Sequence, residues 1–255
     1  MESVIDIRGL SLAFERDGHR TLVLHSLDLS IERGAFIAVV GASGVGKSTL
    51  LRVLIGLAKA SAGEVTLSTH SGKRQPLALV FQDARLLPWR RVADNVSFGL
   101  EGRGLTRAER RAKALVALGT VGLVDLAERW PHQLSGGQRQ RVALARALAV
   151  EPEILLMDEP FSALDAITRE NLQDELVRIW RETGKTILFV THDIDEAVYL
   201  ADRVVVLAGS PGRLVADHDI DAPRPRTRSA DASADVVASV RRHLGAEQLL
   251  DGAAI

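Results

Sequence analysis

Cysteine is absent from the 255-residue chain, which excludes disulfides and thiolate metal sites and fits a reducing compartment. The chain also lacks a basic excess, because 32 Lys and Arg are set against 33 Asp and Glu, for a formal net charge of −1. This balance argues against a nucleic-acid partner, since nucleic-acid-binding domains usually carry a strongly basic patch. No apolar run approaches the roughly 20 residues that span a bilayer. The acidic N-terminal segment does not read as a signal peptide, so a membrane role would need a partner.

The hydrophobic patterns predict an α/β fold. Residues 36–40 form a continuous apolar run, which is typical of a strand buried on both faces, and further largely apolar runs lie at 77–81, 153–157, 186–190 and 203–207. Helical patterns lie between most of these runs, which indicates a mostly parallel sheet covered on both sides. Period-two alternation in 4–8 and 22–31 predicts half-exposed antiparallel strands near the N-terminus.

The segment between these strands suggests how the chain is organised. Residues 84–150 are mostly helical in pattern and rich in Arg and Ala, so we expect a helical subdomain inserted into the core. We expect a single large domain over 1–222 and a short, weakly patterned tail over 223–255. The tail should hold one helix near 234–244.

A phosphate-binding loop follows the buried strand 36–40. Residues 41–48, Gly-Ala-Ser-Gly-Val-Gly-Lys-Ser, match the P-loop spacing, and a helical pattern runs from Lys47 to about Leu57. Glycines let successive backbone N–H groups turn toward an anion, and the following helix adds the positive end of its dipole. Lys47 would neutralise the β- and γ-phosphates, and the Ser48 hydroxyl would ligate Mg²⁺.

Two acids follow a second buried strand, in the run Ile-Leu-Leu-Met-Asp-Glu over 154–159. Ligands of an open α/β sheet bind at the carboxyl ends of its strands, so we expect both acids beside the P-loop. Asp158 could hold the Mg²⁺ shell, and Glu159 could orient and polarise the attacking water.

A second anion site is predicted at Leu-Ser-Gly-Gly-Gln, residues 134–138. Ser135 is a natural helix N-cap, and the helix after it presents another phosphate-ready N-terminus. One nucleotide needs only one P-loop. A simple explanation is that the second site serves the nucleotide of another copy in a two-fold symmetric pair.

These motifs, in this order, resemble those of the ATPase subunits of ATP-binding-cassette transporters, up to about residue 220. Residues 134–138 match that family's signature motif without a departure. The resemblance implies that Gln82 contacts Mg²⁺ and senses the membrane partner, and that Asp165, in Ser-Ala-Leu-Asp, lies in a loop that crosses the dimer interface. It implies that His192 contacts the γ-phosphate and that Phe14 stacks on adenine.

The resemblance and the motifs together give the expected site. The catalytic residues are Glu159, His192 and Lys47, and the metal ligands are Ser48, Gln82 and Asp158. The residues that bind ATP are Phe14, Gly41, Ser43, Gly44, Gly46, Lys47, Ser48, Thr49, Gln82, Ser135, Gly136, Gly137, Gln138 and Asp165. Each ATP would lie between the P-loop of one copy and the signature motif of the other.

An apolar stretch after Gln82 suggests a membrane-protein partner. Residues 86–89 read Leu-Leu-Pro-Trp, and exposing them would be costly unless something covers them. They could fold onto their own helical subdomain. The resemblance implies instead a groove that receives a short coupling helix of a transmembrane permease subunit.

The sequence of residues 83–92, with Asn95 and Val96, is most similar to that of bacterial importers of nitrate, taurine and aliphatic sulfonates. Residues 220–226, which contain a Pro-Arg segment at 223–226, are similar to the C-terminal Pro-Arg segment of those importers. Aliphatic sulfonate is the first expectation, with taurine or nitrate next. The resemblance also implies a periplasmic solute-binding protein and a peripheral location on the cytoplasmic face of the inner membrane. Import rather than export rests on the resemblance alone.

Other classes of protein remain as alternatives. A chromosome or repair ATPase of the same family usually carries a long inserted coiled coil, and a translation factor usually has two cassettes. A P-loop kinase for a small molecule would leave residues 134–138 unexplained. A non-catalytic interaction module would not need Lys47, Asp158 and Glu159 together.

Overall fold

The computed structural model describes residues 2–16, 19–69, 76–228 and 234–251. Two compact units are formed, the first from residues 1–72 with 186–255 and the second from residues 73–185. The elements of the first unit are β1 (Ser3–Arg16), β2 (His19–Glu32), β3 (Phe36–Val40), α1 (Lys47–Leu54), β4 (Ala62–Leu67), β7 (Thr186–Thr191), α6 (Ile194–Leu200), β8 (Arg203–Ala208), β9 (Arg213–Asp219) and α7 (Ala234–Asp251). Those of the second are β5 (Leu77–Val80), α2 (Val92–Ser97), α3 (Arg107–Thr120), α4 (Gly136–Ala149), β6 (Ile154–Asp158) and α5 (Ala166–Thr183).

The first unit contains two kinds of β-structure. An antiparallel sheet has the order β2-β1-β4, and its strands alternate between buried and more exposed residues because one face is covered. In the other, β3 pairs in parallel with β7 and β8, and β9 is antiparallel to β8. Every residue of β3 and β7 is buried, as the apolar sequence of β3 and the largely apolar sequence of β7 predict.

The second unit joins a parallel strand pair, β5 and β6, to helices. Helices α2, α3 and α4 pack against one another, and α4 also contacts β5 and α5. The α/β class, with an antiparallel sheet, mostly parallel strand pairing and a helical region, is therefore confirmed. The predicted division into a domain over 1–222 and a tail over 223–255 stays a prediction.

Two element boundaries differ from those expected. Helix α1 ends at Leu54 rather than near 57, because Gly56 adopts a left-handed φ of 79° and the N–H of Leu57 turns back to the carbonyl of Arg52. Strands β1 and β2 are longer than the alternating segments because their pairing continues through register shifts that interrupt the period of two. Among the described residues, no helix is both long enough and apolar enough to cross a membrane.

Candidate functional site

The P-loop connects β3 to α1 and depends on glycine for its shape. Gly46 is the N-cap of α1 and has a φ of 109°. A Cβ atom there would lie 2.5 Å from Cδ2 of Leu24, so the position excludes a side chain by conformation and by space. The loop can therefore lie close against β2 while α1 begins at the next residue.

Lys47 is the first residue of α1, and only 4% of it is exposed. Its Nζ atom donates hydrogen bonds to the carbonyls of Gly41, at 2.8 Å, and Ala42, at 2.9 Å. A buried ammonium needs such partners. These bonds hold the positive charge against the start of the loop.

His192 emerges beside the P-loop. Strands β3 and β7 are parallel neighbours, and Val40 lies opposite Thr191 in their register. The P-loop begins one residue after Val40, and His192 is one residue after Thr191, so both follow adjacent strands at the same edge of the sheet. His192 is exposed there. This position is compatible with the predicted contact between His192 and the γ-phosphate.

A cleft of about 330 Å³ borders the outer part of the P-loop. Its walls are residues 42–45 of the loop, 21–23 of β2, the turn 208–212 and Leu244 of α7. Phe14 lies opposite Thr21 in the β1–β2 pair and is 47% exposed. The predicted adenine-stacking residue is thus an accessible aromatic whose strand partner lines this cleft.

In the second unit, the predicted metal and base residues share one edge. Val80 of β5 lies opposite Met157 of β6 in a parallel register. Gln82 follows the first strand, and Asp158 and Glu159 stand at the end of the second, so all three leave the strand pair at the same end. Carboxylate and amide oxygens at such an edge suit a hard cation such as Mg²⁺.

Glu159 has an unusual backbone conformation, with a φ of 43°. A non-glycine residue held in this left-handed region costs on the order of 1–3 kcal/mol, and such residues cluster at active sites. The carbonyl of Glu159 accepts hydrogen bonds from both the N–H and the hydroxyl of Ser162, which closes the turn. The strained residue is the one predicted to act as general base.

The signature motif begins α4 with a reciprocal cap. The hydroxyl of Ser135 accepts a bond from the N–H of Gln138 at 3.2 Å, and the Gln138 side-chain oxygen accepts from the N–H of Ser135 at 2.9 Å. Ser135 and Gly136 are exposed, whereas Gly137 is buried against Thr168 of α5. The capping box fixes the helix start while leaving its first turn accessible.

Asp165 caps α5, with its carboxylate accepting from the N–H of Thr168 at 3.0 Å. Bonds from the backbone and side chain of Thr168 hold the pKa of Asp165 below its ordinary value. Asp165 therefore has a structural role as the cap of α5, in addition to its predicted place in a loop that crosses the dimer interface.

Two residues of α4 were missed by sequence reasoning. The buried Gln140 donates from Nε2 to the carbonyl of Phe81 at 3.0 Å, and Arg146 donates to the carbonyls of Ala84 and Arg85. These bonds hold residues 81–85, which include Gln82, against α4, the helix that begins with the signature motif. A signal was available for Gln140, because it lies three residues after Gly137 on a face that is otherwise apolar, and a buried amide needs a partner.

Comparison with known proteins agrees with these features. A family model described as ABC transporter matches residues 24–162. An aliphatic sulfonates import ATP-binding protein of Pectobacterium atrosepticum is 51% identical, covering 88% of this chain and 81% of its own. A taurine import ATP-binding protein of Pseudomonas aeruginosa is 47% identical, covering 87% of this chain and 85% of its own.

Solved structures give the same result. The cbiO1 protein of Clostridium perfringens, part of the ABC transporter complex cbiONQ, aligns with a TM-score of 0.76 and 30% identity over 98% of this chain and 100% of that one. A dimeric ATP-binding cassette in a post-hydrolysis state with ADP and Pi aligns with a TM-score of 0.73 and 33% identity over 84% and 98%. The chain therefore belongs to the ATP-binding-cassette (ABC) transporter family, and it is an ATPase of that family that binds and hydrolyses ATP.

Proposed function

We propose that this chain energises a bacterial importer of aliphatic sulfonates, with taurine or nitrate as the next candidate solutes. The observation that carries the solute class is the 51% identity to an aliphatic sulfonates import ATP-binding protein, over most of both chains. Taurine stays a candidate because a taurine import ATP-binding protein is almost as similar. ABC ATPases function as dimers with membrane permease partners. The importer would add a periplasmic solute-binding protein.

In the proposed mechanism, two copies bind ATP at their shared interface. The glycine backbone of the P-loop (Gly41, Ser43, Gly44, Gly46), with Lys47, Ser48 and Thr49, binds the phosphates. Residues 135–138 of the second copy cover the same nucleotide, and Asp165 contributes at the interface. Phe14 supports the adenine, which its exposure and its place beside the cleft favour. Two helix N-termini then face one polyanion from opposite sides.

Hydrolysis uses the residues at the strand ends. The Glu159 carboxylate accepts a proton from the attacking water, and the His192 ring donates a hydrogen bond to the γ-phosphate. Lys47 stabilises charge on the β- and γ-phosphate oxygens as the terminal bond breaks. The hydroxyl of Ser48, the amide of Gln82 and the carboxylate of Asp158 are oxygen donors that fit Mg²⁺. Mg²⁺ held there would neutralise phosphate charge.

The permease would dock on the loop that ends at Trp89. Trp89 is 70% exposed, whereas Leu86 and Leu87 are half-buried. The apolar surface that the stretch exposes to solvent is therefore mainly that of the Trp89 indole. The buried side chain of Asn95 fixes the conformation of this loop. Its side chain accepts from the N–H of Leu87 at 2.7 Å and donates to the carbonyls of Leu87, Arg90 and Arg91. A rigid loop with an exposed aromatic is suited to binding a partner helix.

Trp89→Ala should leave ATP binding unchanged and weaken assembly with the permease. Val116→Ala is the matched control, because Val116 is 73% exposed on α3 of the same unit. Co-purification from detergent would measure assembly, and equal permease recovery with Trp89→Ala and Val116→Ala would contradict the docking assignment.

The proposed location is peripheral, on the cytoplasmic face of the inner membrane, with no nucleic-acid partner. The decisive experiment is affinity purification from the native cell in mild detergent, with mass spectrometry of the co-eluting proteins. A polytopic membrane protein and a solute-binding protein should be recovered, and the ligand of the latter would be an organosulfonate. Ribosomal or DNA-associated proteins without a membrane partner would overturn the proposal in favour of a non-transport cassette.

A further inference from the structure

We propose that Arg224 and Arg226, in the Pro-Arg segment at 223–226, position His192 for hydrolysis by holding the far end of α6. This inference rests on the proposed function, in which His192 contacts the γ-phosphate. The segment lies outside every nucleotide motif. Its two arginines nevertheless bind the helix that begins just after His192.

Helix α6 is fixed at its N-terminal end directly beside His192. The N–H of Asp193 donates to the hydroxyl of Thr191 at 3.0 Å, and the Asp193 carboxylate accepts from the N–H of Glu196 at 3.1 Å. The helix has only seven residues, Ile194–Leu200. Helices this short are not stable by themselves in water, so its placement depends on the packing of its buried residues Ala197, Val198 and Leu200 and on what holds its two ends.

Arg226 holds the C-terminal end. Its guanidinium donates to the carbonyl of Val198 at 3.0 Å and to that of Ala201. The same group donates to the carbonyls of Ala222, at 3.0 Å, and Ile220, at 3.1 Å. The last carbonyls of a helix have no partner within it, and they carry its negative partial charge. Arg226 therefore satisfies these carbonyls and ties them to the chain that follows β9.

Arg224 also contacts the C-terminal end of α6. It donates to the carbonyl of Leu200 and pairs with the carboxylate of Asp202 at 2.8 Å. Its guanidinium also lies 5.8 Å from the ring centroid of Phe36, the first residue of the strand that leads into the P-loop. One segment thus contacts both the helix after His192 and the strand before the P-loop.

The hydrogen bonds by which Arg224 and Arg226 hold the C-terminal end of α6 form a clamp, and this clamp requires arginine. The side chain of Arg226 is only 4% exposed, and Asp202 is the carboxylate that both arginines contact. Burial, together with the nearby charge of Arg224, lowers the pKa of Arg226 to about 10. This value is still well above 7, so the guanidinium is charged at neutral pH. A planar fork with five donors can bond several carbonyls at once, whereas a lysine ammonium acts as a point charge.

The test compares steady-state ATP hydrolysis by the full-length chain carrying Arg226→Ala, Arg226→Lys or His192→Ala, and by the Arg226→Ala/His192→Ala double variant. Arg241→Ala is the matched control, because Arg241 also contacts α6, through an exposed ion pair with Asp195 at 3.7 Å, but bonds none of its carbonyls. Circular dichroism identifies the variants that fold. Arg226→Lys keeps the test available if Arg226→Ala does not fold.

We expect Arg226→Ala to lower kcat roughly ten- to a hundredfold, the range that a displaced catalytic group produces, with little change in the KM for ATP. Arg226→Lys should lie between that variant and wild type, and Arg241→Ala should match wild type. The double variant should be no slower than His192→Ala alone, because both changes remove the same contribution.

Three results would overturn the inference. Losses that multiply in the double variant would show that Arg226 does not act through His192. Wild-type kcat in a folded Arg226→Ala protein, with impaired His192→Ala, would refute the positioning role and leave the proposed function intact. Wild-type kcat in His192→Ala would refute the role of His192 in the proposed function, and the inference with it.

Discussion

At Gly137 there is no room for even one methyl group. An added Cβ would lie 2.1 Å from Cγ2 of Thr168, a β-branched side chain in the first turn of α5. The neighbouring Gly136 differs, because its nearest such atom, on the long side chain of Arg139, would be 4.0 Å away. The two glycines of the signature motif therefore have different reasons to lack a side chain.

Gly137→Ala should lower the free energy of unfolding by about 1–3 kcal/mol, the usual cost of overpacking. Gly136→Ala should leave it unchanged within about 0.5 kcal/mol, the range of ordinary surface substitutions. Thermal unfolding of both variants would measure the difference. Equal melting temperatures would show that α4 and α5 are not packed as described.

At the scale of the element, the chain repeats one device at two helices. Helix α3 begins with Thr106 and Glu109 in the same reciprocal cap that Ser135 and Gln138 form at α4. The N–H of Glu109 donates to the Thr106 hydroxyl at 3.3 Å, close to the 3.2 Å of the α4 cap. Only the cap of α4 is proposed to face ATP. A comparison of the two caps therefore distinguishes what such a cap contributes to stability from what it contributes to ATP hydrolysis.

Ser135→Ala and Thr106→Ala should each lower the free energy of unfolding by about 1 kcal/mol, the typical loss for a removed N-cap. Only Ser135→Ala should also reduce ATP hydrolysis, since Thr106 lies in no nucleotide motif. Chemical denaturation and a phosphate-release assay would measure the two effects. A similar loss of hydrolysis in both variants would argue against a nucleotide contact at α4.

Elements with a strong local pattern were predictable from the sequence. The five residues of β3 are apolar and buried without exception, and the P-loop after it has a fixed spacing. The end of α1 was misplaced because Gly56 stops the helix through its backbone conformation, which leaves no mark in the hydrophobic period.

Long-range contacts were less accessible. The bonds from Gln140 to Phe81 and from Arg226 to Val198 end on backbone carbonyls, which every residue has. No side-chain pattern identifies such an acceptor, so the sequence of the Pro-Arg segment gives a likeness to one group of importers but no indication that its arginines bind α6. The site motifs could be predicted from the sequence and Gln140 could be singled out as a buried amide, whereas the carbonyls that Gln140 and Arg226 bind follow only from the fold.

At the scale of the whole molecule, the proposed working form is a pair of copies joined by ATP. Glu159→Gln should keep ATP binding, since the uncharged amide is similar in size, but it should hydrolyse ATP slowly because a neutral amide is a poor base. Closed dimers should then accumulate and elute early in gel filtration with ATP. The ADP-bound variant is the control and should elute as monomer. A monomer with ATP as well would contradict the proposal that ATP joins two copies.

The clamp on α6 has a consequence for how the family's sequences can vary. Arg226 bonds carbonyls contributed by Val198 and Ala201, and those carbonyls stay the same whichever side chains occupy the two positions. Substitutions at these two positions therefore require no compensating change at Arg226, although co-varying positions are the usual signal of spatial contact. Methods that detect contacts from correlated substitutions would find little coupling between Arg226 and these two positions, although its bonds to them hold the end of α6.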